Sequence, residues 1–395
     1  MRHSYLVPGG AGLMGAEVAR YLMSRKATKR VHIIDTEKDL IDDLERRLSE
    51  EGLNDTRLTT EVADATDLKY MRKKVEDSGV TFSCLPYFMN LPLTELVIDR
   101  GKIMCDLGGN PGVTNAQHAL DAKARYHKSI IVVPCGIAPG ASEAVAMDGV
   151  NRLGGPENVD YIRLYGGGLP VNPQGILQYK QLFYIEGWFN EIRGDCEVLE
   201  NYELKTDQPP MTGIETIDFP GVGLLEGAHN SGGIGRLAHN LQGRVREVWY
   251  KTLRFPGHWQ MMKNLLDLGF LEQKELACGV SPSKMSEELI AKHIRYESND
   301  MMLLRCDIGS KPKDNKQKVI TYYLAQLGDM EKGITSMEVA TSDSMVIAGL
   351  LAEQGHTRYG VVSPGEQPPD KFLRYWSRRG MNWWREEKTF MELRK

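Results

Sequence analysis

Cysteine is sparse and scattered in this chain. The six, Cys84, Cys105, Cys135, Cys196, Cys278 and Cys306, form no CxxC pair and no cluster with histidine. That spacing argues against a structural zinc module, and no bound metal is expected. Several of the cysteines end or follow apolar runs, where a reduced thiol behaves as a small hydrophobe. No apolar run approaches the roughly 20 residues that cross a bilayer, so no membrane partner is expected. The first residues are too short and too glycine-rich for a secretory signal, which points to a cytoplasmic chain. Positive charge is not in excess either. A formal net charge of −4 argues against nucleic acid as the main partner. Internal repeats and low-complexity tracts are missing.

What the first third does contain is a regular alternation. "SYLVPGGAGLMGAEVARYLM" opens with a short apolar strand, turns through glycine, and continues as a helix with Met14, Val18 and Leu22 on one face. "RVHIID" follows as a buried strand ending at Asp35. "KDLIDDLERRLSEEG" repeats Leu40, Leu44 and Leu48 at helical spacing, with Gly52 as its stop. "RLTTEV", "GVTFSCLP", "KIMCDLGG" and "SIIVVPCG" supply four more strands, with helical patterns between them. Six strands alternating with helices within about 140 residues predict an α/β, Rossmann-type, doubly wound parallel sheet.

Gly10, Gly12 and Gly15 form G-x-G-x-x-G in the place where that pattern carries meaning, after a strand and before a helix. Gly10 permits the tight turn, Gly12 leaves room for a pyrophosphate, and Gly15 allows close helix–strand packing. The first helical residues, Leu13 and Met14, present unpaired N–H groups and a partial positive charge to phosphate. Asp35, about 20 residues on, can accept hydrogen bonds from ribose hydroxyls and would repel a 2′-phosphate. Thr36 and Glu37 add no arginine to cradle one, although Lys38 could. The expected cofactor is therefore NAD rather than NADP.

Beyond residue 150 the pattern changes to glycine-, proline- and aromatic-rich stretches, such as "YIRLYGGGLPVNPQG" and "TIDFPGVGLLEGAHNSGGIG". They predict a second, α+β domain of mixed strands and long loops. "SMEVATSDSMVIAGLLAEQG" reads as a helix with Val346, Leu350 and Leu351 on its apolar face. The expected division is residues 1–140 plus about 335–395 for the nucleotide domain, and 141–334 for the second.

Eight blocks, "GGAGLMG", "CDLGGN", "VVPCGIAPG", "YGGGLP", "FYIEGWFNEI", "NSGGIG", "KTLRFPGH" and "DLGFL", occur in the order and spacing of one family. The chain resembles the saccharopine dehydrogenase-like family from about residue 4 to residue 366, and within it the lysine 6-dehydrogenases. The resemblance implies a Rossmann NAD(P) domain and a discontinuous catalytic domain whose mixed sheet also mediates dimerisation, so a homodimer or higher homo-oligomer is expected. It further implies oxidation of a C–N bond to an imine or the reverse reductive amination, on a small amino acid or amine. Oxidative deamination of the terminal amine of lysine, or of a similar amino acid, is the leading expectation. Reductive condensation of an aldehyde with an amine, as saccharopine- and carboxynorspermidine-forming relatives perform, is the second. A nucleotide-sensing protein without turnover is the third.

The same resemblance directs attention to particular residues. Pro86 and Tyr87 follow the fourth strand, at the sheet edge where ligands bind in open α/β folds. Gly108 and Gly109 follow the fifth, and allow close backbone approach to a ribose. Asp64, after the third strand, is placed for the adenine end or is a solvated loop acid. Arg254 of "KTLRFPGH" can grip a carboxylate bidentately, and His258 suits proton transfer. Glu186 is the candidate carboxylate for an amine, with Lys180 or Lys251 as substitutes. Asn230 and Ser231 can add hydrogen bonds to substrate. The tail, with Trp376, Trp383, Trp384, Arg374, Arg378, Arg379 and Arg385, is expected to pack on the nucleotide domain or on another subunit.

Overall fold

The computed structural model describes residues 3–182 and 185–391, apart from the side chain of Glu186. The chain divides into two compact units, Met1–Asp148 with Glu338–Met381, and Gly149–Met337 with Asn382–Lys395. The crossings fall a few residues beyond the expected borders. The last segment, expected with the first unit, belongs to the second.

In the first unit, β1 (Ser4–Pro8), β2 (Arg30–Asp35), β3 (Leu58–Val62), β4 (Val80–Ser83), β5 (Ile103–Asp106) and β6 (Ile130–Val132) alternate with helices. The second unit holds β7 (Val159–Pro170), β8 (Cys196–Glu200), β9 (Glu203–Gln208), β10 (Glu215–Phe219), β11 (Gly223–His229), β12 (Glu247–Arg254), β13 (Asp300–Ser310) and β14 (Lys316–Leu327). The chain then returns to the first unit for β15 (Gly360–Val362) and ends in the second with β16 (Trp383–Met391).

The first sheet is parallel throughout, in the order β15-β6-β5-β4-β1-β2-β3. Six strands are those expected, and β15 adds a seventh beside β6. The order reverses at β1, which lies between β2 and β4, so the carboxyl ends of these strands form a switch-point crevice. The first helix, Leu13–Ser24, buries Val18 and Leu22 completely. The second, Lys38–Glu50, buries Ile41, Leu44 and Leu48, whereas Leu40 is 45% exposed. The expected stripe is therefore one residue off at its start, since positions 41, 44 and 48 share the sheet-facing side. Helix Ser336–Glu353 buries Val346, Leu350 and Leu351 as expected.

The second sheet is mixed, running β10-β11-β12-β7-β13-β14-β16, with β8 and β9 attached at β12. β7 is its central strand, parallel to β12 and antiparallel to β13. β16 pairs with β14 over nine residues, and Trp383 and Trp384 stack on Tyr322 and Tyr323. That pairing corrects the expectation for the tail. Its two tryptophans complete the second sheet, while Trp376 is buried against Phe372 in the first unit. Among the described residues, no helix is long and apolar enough to cross a membrane.

Close packing in the first unit gives a direct test. A Cβ on Gly349, inside helix Ser336–Glu353, would lie 2.3 Å from the Phe82 ring of β4. Gly349→Ala gains about 1 kcal/mol of helix propensity but overpacks the core at a cost of about 1–3 kcal/mol. We expect a net fall of several degrees in Tm by thermal denaturation. An unchanged or higher Tm would mean that the helix can move off the sheet freely.

Candidate functional site

At the carboxyl end of β1, Gly9 takes φ +69° and packs so tightly that a Cβ would lie 2.7 Å from the Cys84 carbonyl oxygen. A Cβ at Gly10 would meet the Val7 carbonyl at 2.6 Å, and one at Gly15 the Gly9 carbonyl at 2.3 Å. Gly12 is different. Its φ is −69°, open to any residue, and no protein atom comes nearer than 3.6 Å to the position of a Cβ. The protein itself gives no reason for glycine there, whereas a molecule approaching the turn from outside does. The helix that starts at Leu13 has no side-chain cap and no acid in its first turn, leaving its amides free for an anion. These residues fit a dinucleotide pyrophosphate.

Asp35 closes the turn. One carboxylate oxygen accepts the Ala11 N–H at 3.0 Å and the other the Glu37 N–H at 3.3 Å, with lone pairs left for ribose hydroxyls. Lys38 is ion-paired with Asp42 at 2.5 Å. Asp64 is exposed and caps its own loop, accepting the Thr66 amide and hydroxyl at 2.8 and 2.7 Å. Those bonds hold its carboxyl below the usual range. Pro86 is exposed and Tyr87 half-buried. Gly109 faces Tyr87, its Cβ position 3.5 Å from that of the tyrosine. Gly108 and Gly109 take φ +77° and +111°, which glycine alone adopts easily. Behind them, Asp106 is fully buried, bonded to the Gly108 amide at 2.8 Å and the Gln117 side-chain amide at 2.6 Å. Burial pushes its carboxyl up to about 6.

The second unit holds a separate group of polar side chains among aromatic rings. Gly166 and Gly167 of β7 make room for it. A Cβ at Gly166 would lie 3.0 Å from the Tyr250 hydroxyl, and one at Gly167 would lie 3.3 Å from Nη1 of Arg254. The Arg254 guanidinium is 2% exposed, over the rings of Tyr179 at 4.6 Å and Trp259 at 5.6 Å. Its Nη1 donates to the Leu253 carbonyl at 2.8 Å, its Nε has no partner, and no carboxylate of the described residues forms a salt bridge with it. A buried cation in this state is suited to an incoming carboxylate.

His258, fully buried, opens helix His258–Asp267 after Gly257 at φ +92°. Its ring lies 5.9 Å from Tyr179, 6.2 Å from Trp188 and 5.1 Å from Trp259. Nδ1 lies 2.7 Å from the Leu177 carbonyl oxygen, which only accepts, so Nδ1 carries the proton and Nε2 the lone pair. Nε2 is buried without a partner. Burial first, then the Arg254 charge, pushes the imidazole down to about 3. Both effects disfavour the protonated form that the expected proton-transfer role for His258 would use. Asn230 is 3% exposed with both amide atoms unpartnered, and the Ser231 N–H donates to the Glu191 carbonyl at 3.0 Å. The indole N–H of Trp188, stacked 5.1 Å from Tyr179, is also buried and unpartnered.

Glu191, the last residue of helix Ile185–Glu191, was missed by sequence reasoning. Burial pushes its carboxyl up to about 7, with Arg254 pulling the other way. The only trace it left was a second acid in "FYIEGWFNEI". The side chain of Glu186, the acid singled out from that block, lies outside the described residues. Lys180 donates to the Ser298 carbonyl at 2.6 Å, and Lys251 is ion-paired with Glu215 at 2.5 Å, so both ammonium groups are engaged elsewhere. Among the described residues, no group of three or more histidine, cysteine or acidic side chains is arranged to hold a metal.

The family model described as the saccharopine dehydrogenase NADP binding domain matches residues 7–133, and that of the saccharopine dehydrogenase C-terminal domain matches residues 136–381. The chain belongs to the saccharopine dehydrogenase family. A curated relative, saccharopine dehydrogenase (NADP(+), L-glutamate-forming) of Schizosaccharomyces pombe, is 24% identical over 275 residues, or 65% of this chain. The chain spans 59% of that relative's length. Among solved structures, apo saccharopine dehydrogenase (L-Glu forming) from Saccharomyces cerevisiae superposes with a TM-score of 0.77 at 17% identity, over 98% of this chain and 100% of that one. At that identity the likeness is one of fold.

Two outcomes separate ligand contacts from packing. Gly12→Ala should leave Tm nearly unchanged, an N-cap alanine costing at most about 1 kcal/mol. It should weaken dinucleotide binding about tenfold or more by fluorescence titration. Equal binding would remove Gly12 from the cradle. For Glu191, a folded-state pKa above the unfolded value means that its unfavourable contribution develops as pH rises from about 4.5 to about 7. Glu191→Gln should therefore raise Tm at pH 8 and much less at pH 5. A uniform shift at both would show that the carboxyl is not held neutral by burial.

Proposed function

We propose that this chain is a nicotinamide-dependent dehydrogenase acting on the C–N bond of an amino-acid-derived amine. The observation that carries the reading is the buried Arg254 guanidinium. Among the described residues it has no carboxylate in a salt bridge, and it shares the Tyr179 ring with His258. Family membership supports the reaction class.

In this reading Arg254 takes the substrate carboxylate in two parallel hydrogen bonds, and the aromatic rings exclude water from them. Glu191, titrating near neutrality, accepts the N–H proton as the amine becomes an imine. A nicotinamide nucleotide, when bound, supplies the acceptor for the hydride leaving carbon. Gly10, Gly12, Leu13, Met14 and Gly15 would hold its pyrophosphate and Asp35 its adenosine ribose. The Asp35 carboxylate favours NAD by repelling a 2′-phosphate. The names of the matched family domain and of the fission-yeast relative carry NADP.

Two substrates fit the class. Terminal-amine oxidation of lysine or a close ω-amino acid has the support of the sequence blocks. A saccharopine-type secondary amine, made or broken by reductive condensation, has the support of the fission-yeast relative's printed activity.

The test is absorbance at the NADH band with NAD or NADP and, in turn, lysine, ornithine and saccharopine. A reverse assay would combine an amino-acid aldehyde, glutamate and reduced cofactor. Oxidation of lysine supports the first substrate and turnover of saccharopine in either direction the second. Arg254→Gln should lower kcat/KM by about a hundredfold or more on either, the loss of a buried charged contact being about 3–5 kcal/mol. Tight dinucleotide binding with silence in every assay would leave a sensor without turnover.

On pH, kcat/KM should fall as pH drops below about 7, where Glu191 protonates, and Glu191→Gln should lose this limb. A limb unchanged in the variant would exclude Glu191 as the proton acceptor. Asp35→Ser should shift the NADP-to-NAD ratio of kcat/KM upward by about tenfold or more. No shift would remove Asp35 from the ribose.

A further inference from the structure

Three regions outside the reaction scheme carry unexplained polar or apolar groups. The first is a cavity of about 80 Å³ beneath β1 and β2, lined by Arg30, His32, Lys73, Lys74 and Asp77. Its lysines are already paired with Asp77 and Glu61. The second is the exposure of Leu268, Leu276 and Leu289, and nothing in the structure shows what covers them. The third, inside the second unit, is His258, whose Nε2 has neither a partner nor access to solvent.

From this geometry we propose that His258 is a specificity residue, whose Nε2 accepts a hydrogen bond from the α-ammonium group of the substrate. The proposal rests on the reading of Arg254 as the carboxylate anchor, and deepens it.

Four observations carry it. The Leu177 carbonyl fixes the tautomer, so the free nitrogen is an acceptor and cannot turn donor without adding a second proton. That acceptor is buried and unpaired, a state that costs free energy unless a donor arrives. The donor must come close to Arg254, because the guanidinium and the imidazole lie on the same Tyr179 ring, at 4.6 and 5.9 Å, and on the same Trp259 ring, at 5.6 and 5.1 Å. An α-amino acid carries its ammonium one carbon from its carboxylate, which matches adjacent receptors of opposite kind. Finally, the Arg254 charge and burial together keep His258 from protonating, so it remains an acceptor across the working pH range. Among the described residues, the charged and titratable groups facing this pair are Glu191, Tyr179 and Tyr250. Glu191 is the one carboxyl among them, and it also favours an ammonium.

The role is selective rather than chemical. A simple carboxylate would satisfy Arg254 and leave Nε2 orphaned, whereas an amino acid satisfies both. Rejection through an unpaired buried group is among the stronger forms of discrimination available to a site.

The experiment compares L-lysine and L-saccharopine with 6-aminohexanoate, which keeps the carboxylate and terminal amine of lysine and lacks the α-amino group. Binding is read by quenching of tryptophan fluorescence in the full chain, for wild type, His258→Phe and His258→Gln. Wild type should bind at least one of the two amino acids roughly ten- to a hundredfold tighter than 6-aminohexanoate. His258→Phe should bring that ratio close to one, and His258→Gln, which keeps a terminal acceptor, should retain part of it. Nitrogen NMR of the wild-type histidines gives a readout that does not depend on a variant folding. The Nε2 resonance of His258 should move on adding the amino acid and stay in place on adding 6-aminohexanoate. A ratio unchanged in His258→Phe, or an Nε2 resonance indifferent to the amino acid, overturns the assignment while leaving the Arg254 reading intact. A wild-type chain that binds all three ligands equally also overturns it. Binding of none of them, together with no turnover, overturns the functional reading itself.

Discussion

A guanidinium withdrawn from water, with no ion-paired carboxylate among the described residues, is the constraint around which the second unit is organised. Removing such a charge from solvent costs several kcal/mol even after relaxation. The fold offsets part of this with the Leu253 carbonyl and two aromatic faces beside Arg254, each a modest contribution. None of them neutralises the charge. Its field therefore reaches its neighbours, lowering the proton affinity of His258 and opposing the rise that burial imposes on Glu191. A carboxylate ligand would relieve the constraint, which is why the carboxylate end of the substrate is the better supported half of the reading.

The glycines express a second constraint, and they are not equivalent. Gly10 and Gly15 are fixed by protein atoms that a methyl group would strike, and Gly108 and Gly109 by backbone conformation. Gly12 is fixed by neither. In β7 the cause is different again. Gly166 and Gly167 leave no room for side chains because Tyr250 lies across the first and Leu253, followed by Arg254, across the second, all more than 80 residues away in sequence. A pattern search treats all these residues alike, whereas the space around each tells apart turn, packing and ligand.

This explains which parts of the molecule were legible in the sequence. The parallel sheet was readable because its strands and helices declare themselves locally, by apolar spacing and a stop such as Gly52. Its ligand edge came with it, since strand ends in this topology share one side. The second sheet was not readable in the same way. "YIRLYGGGLP" looks like a glycine loop, yet it is the central strand β7, because its lack of side chains is set by partners distant in sequence. "WWREEKTFM" looks like a tail, yet its tryptophans have ring partners on β14. Arg254, Asn230 and His258 could be chosen from sequence by residue type. Glu191 could not be told from any other helix-end acid, because its environment comes from Arg254, Tyr179 and Tyr250 on other segments.

The two acid–base groups next to Arg254 illustrate how one charge can separate roles. Burial favours the neutral form of both side chains, which lowers a histidine and raises a glutamate. The cation adds to the first effect and subtracts from the second. The His258 imidazole is thus pushed well down, while the Glu191 carboxyl is brought back to about 7, a value suited to the proton acceptor proposed for it. Exchanging the two residue types would reverse neither trend, since each follows from charge sign and burial rather than from position along the chain. The proposed division of labour, with one group that recognises and one that exchanges a proton, rests on the opposite response of the two side chains to a single buried cation.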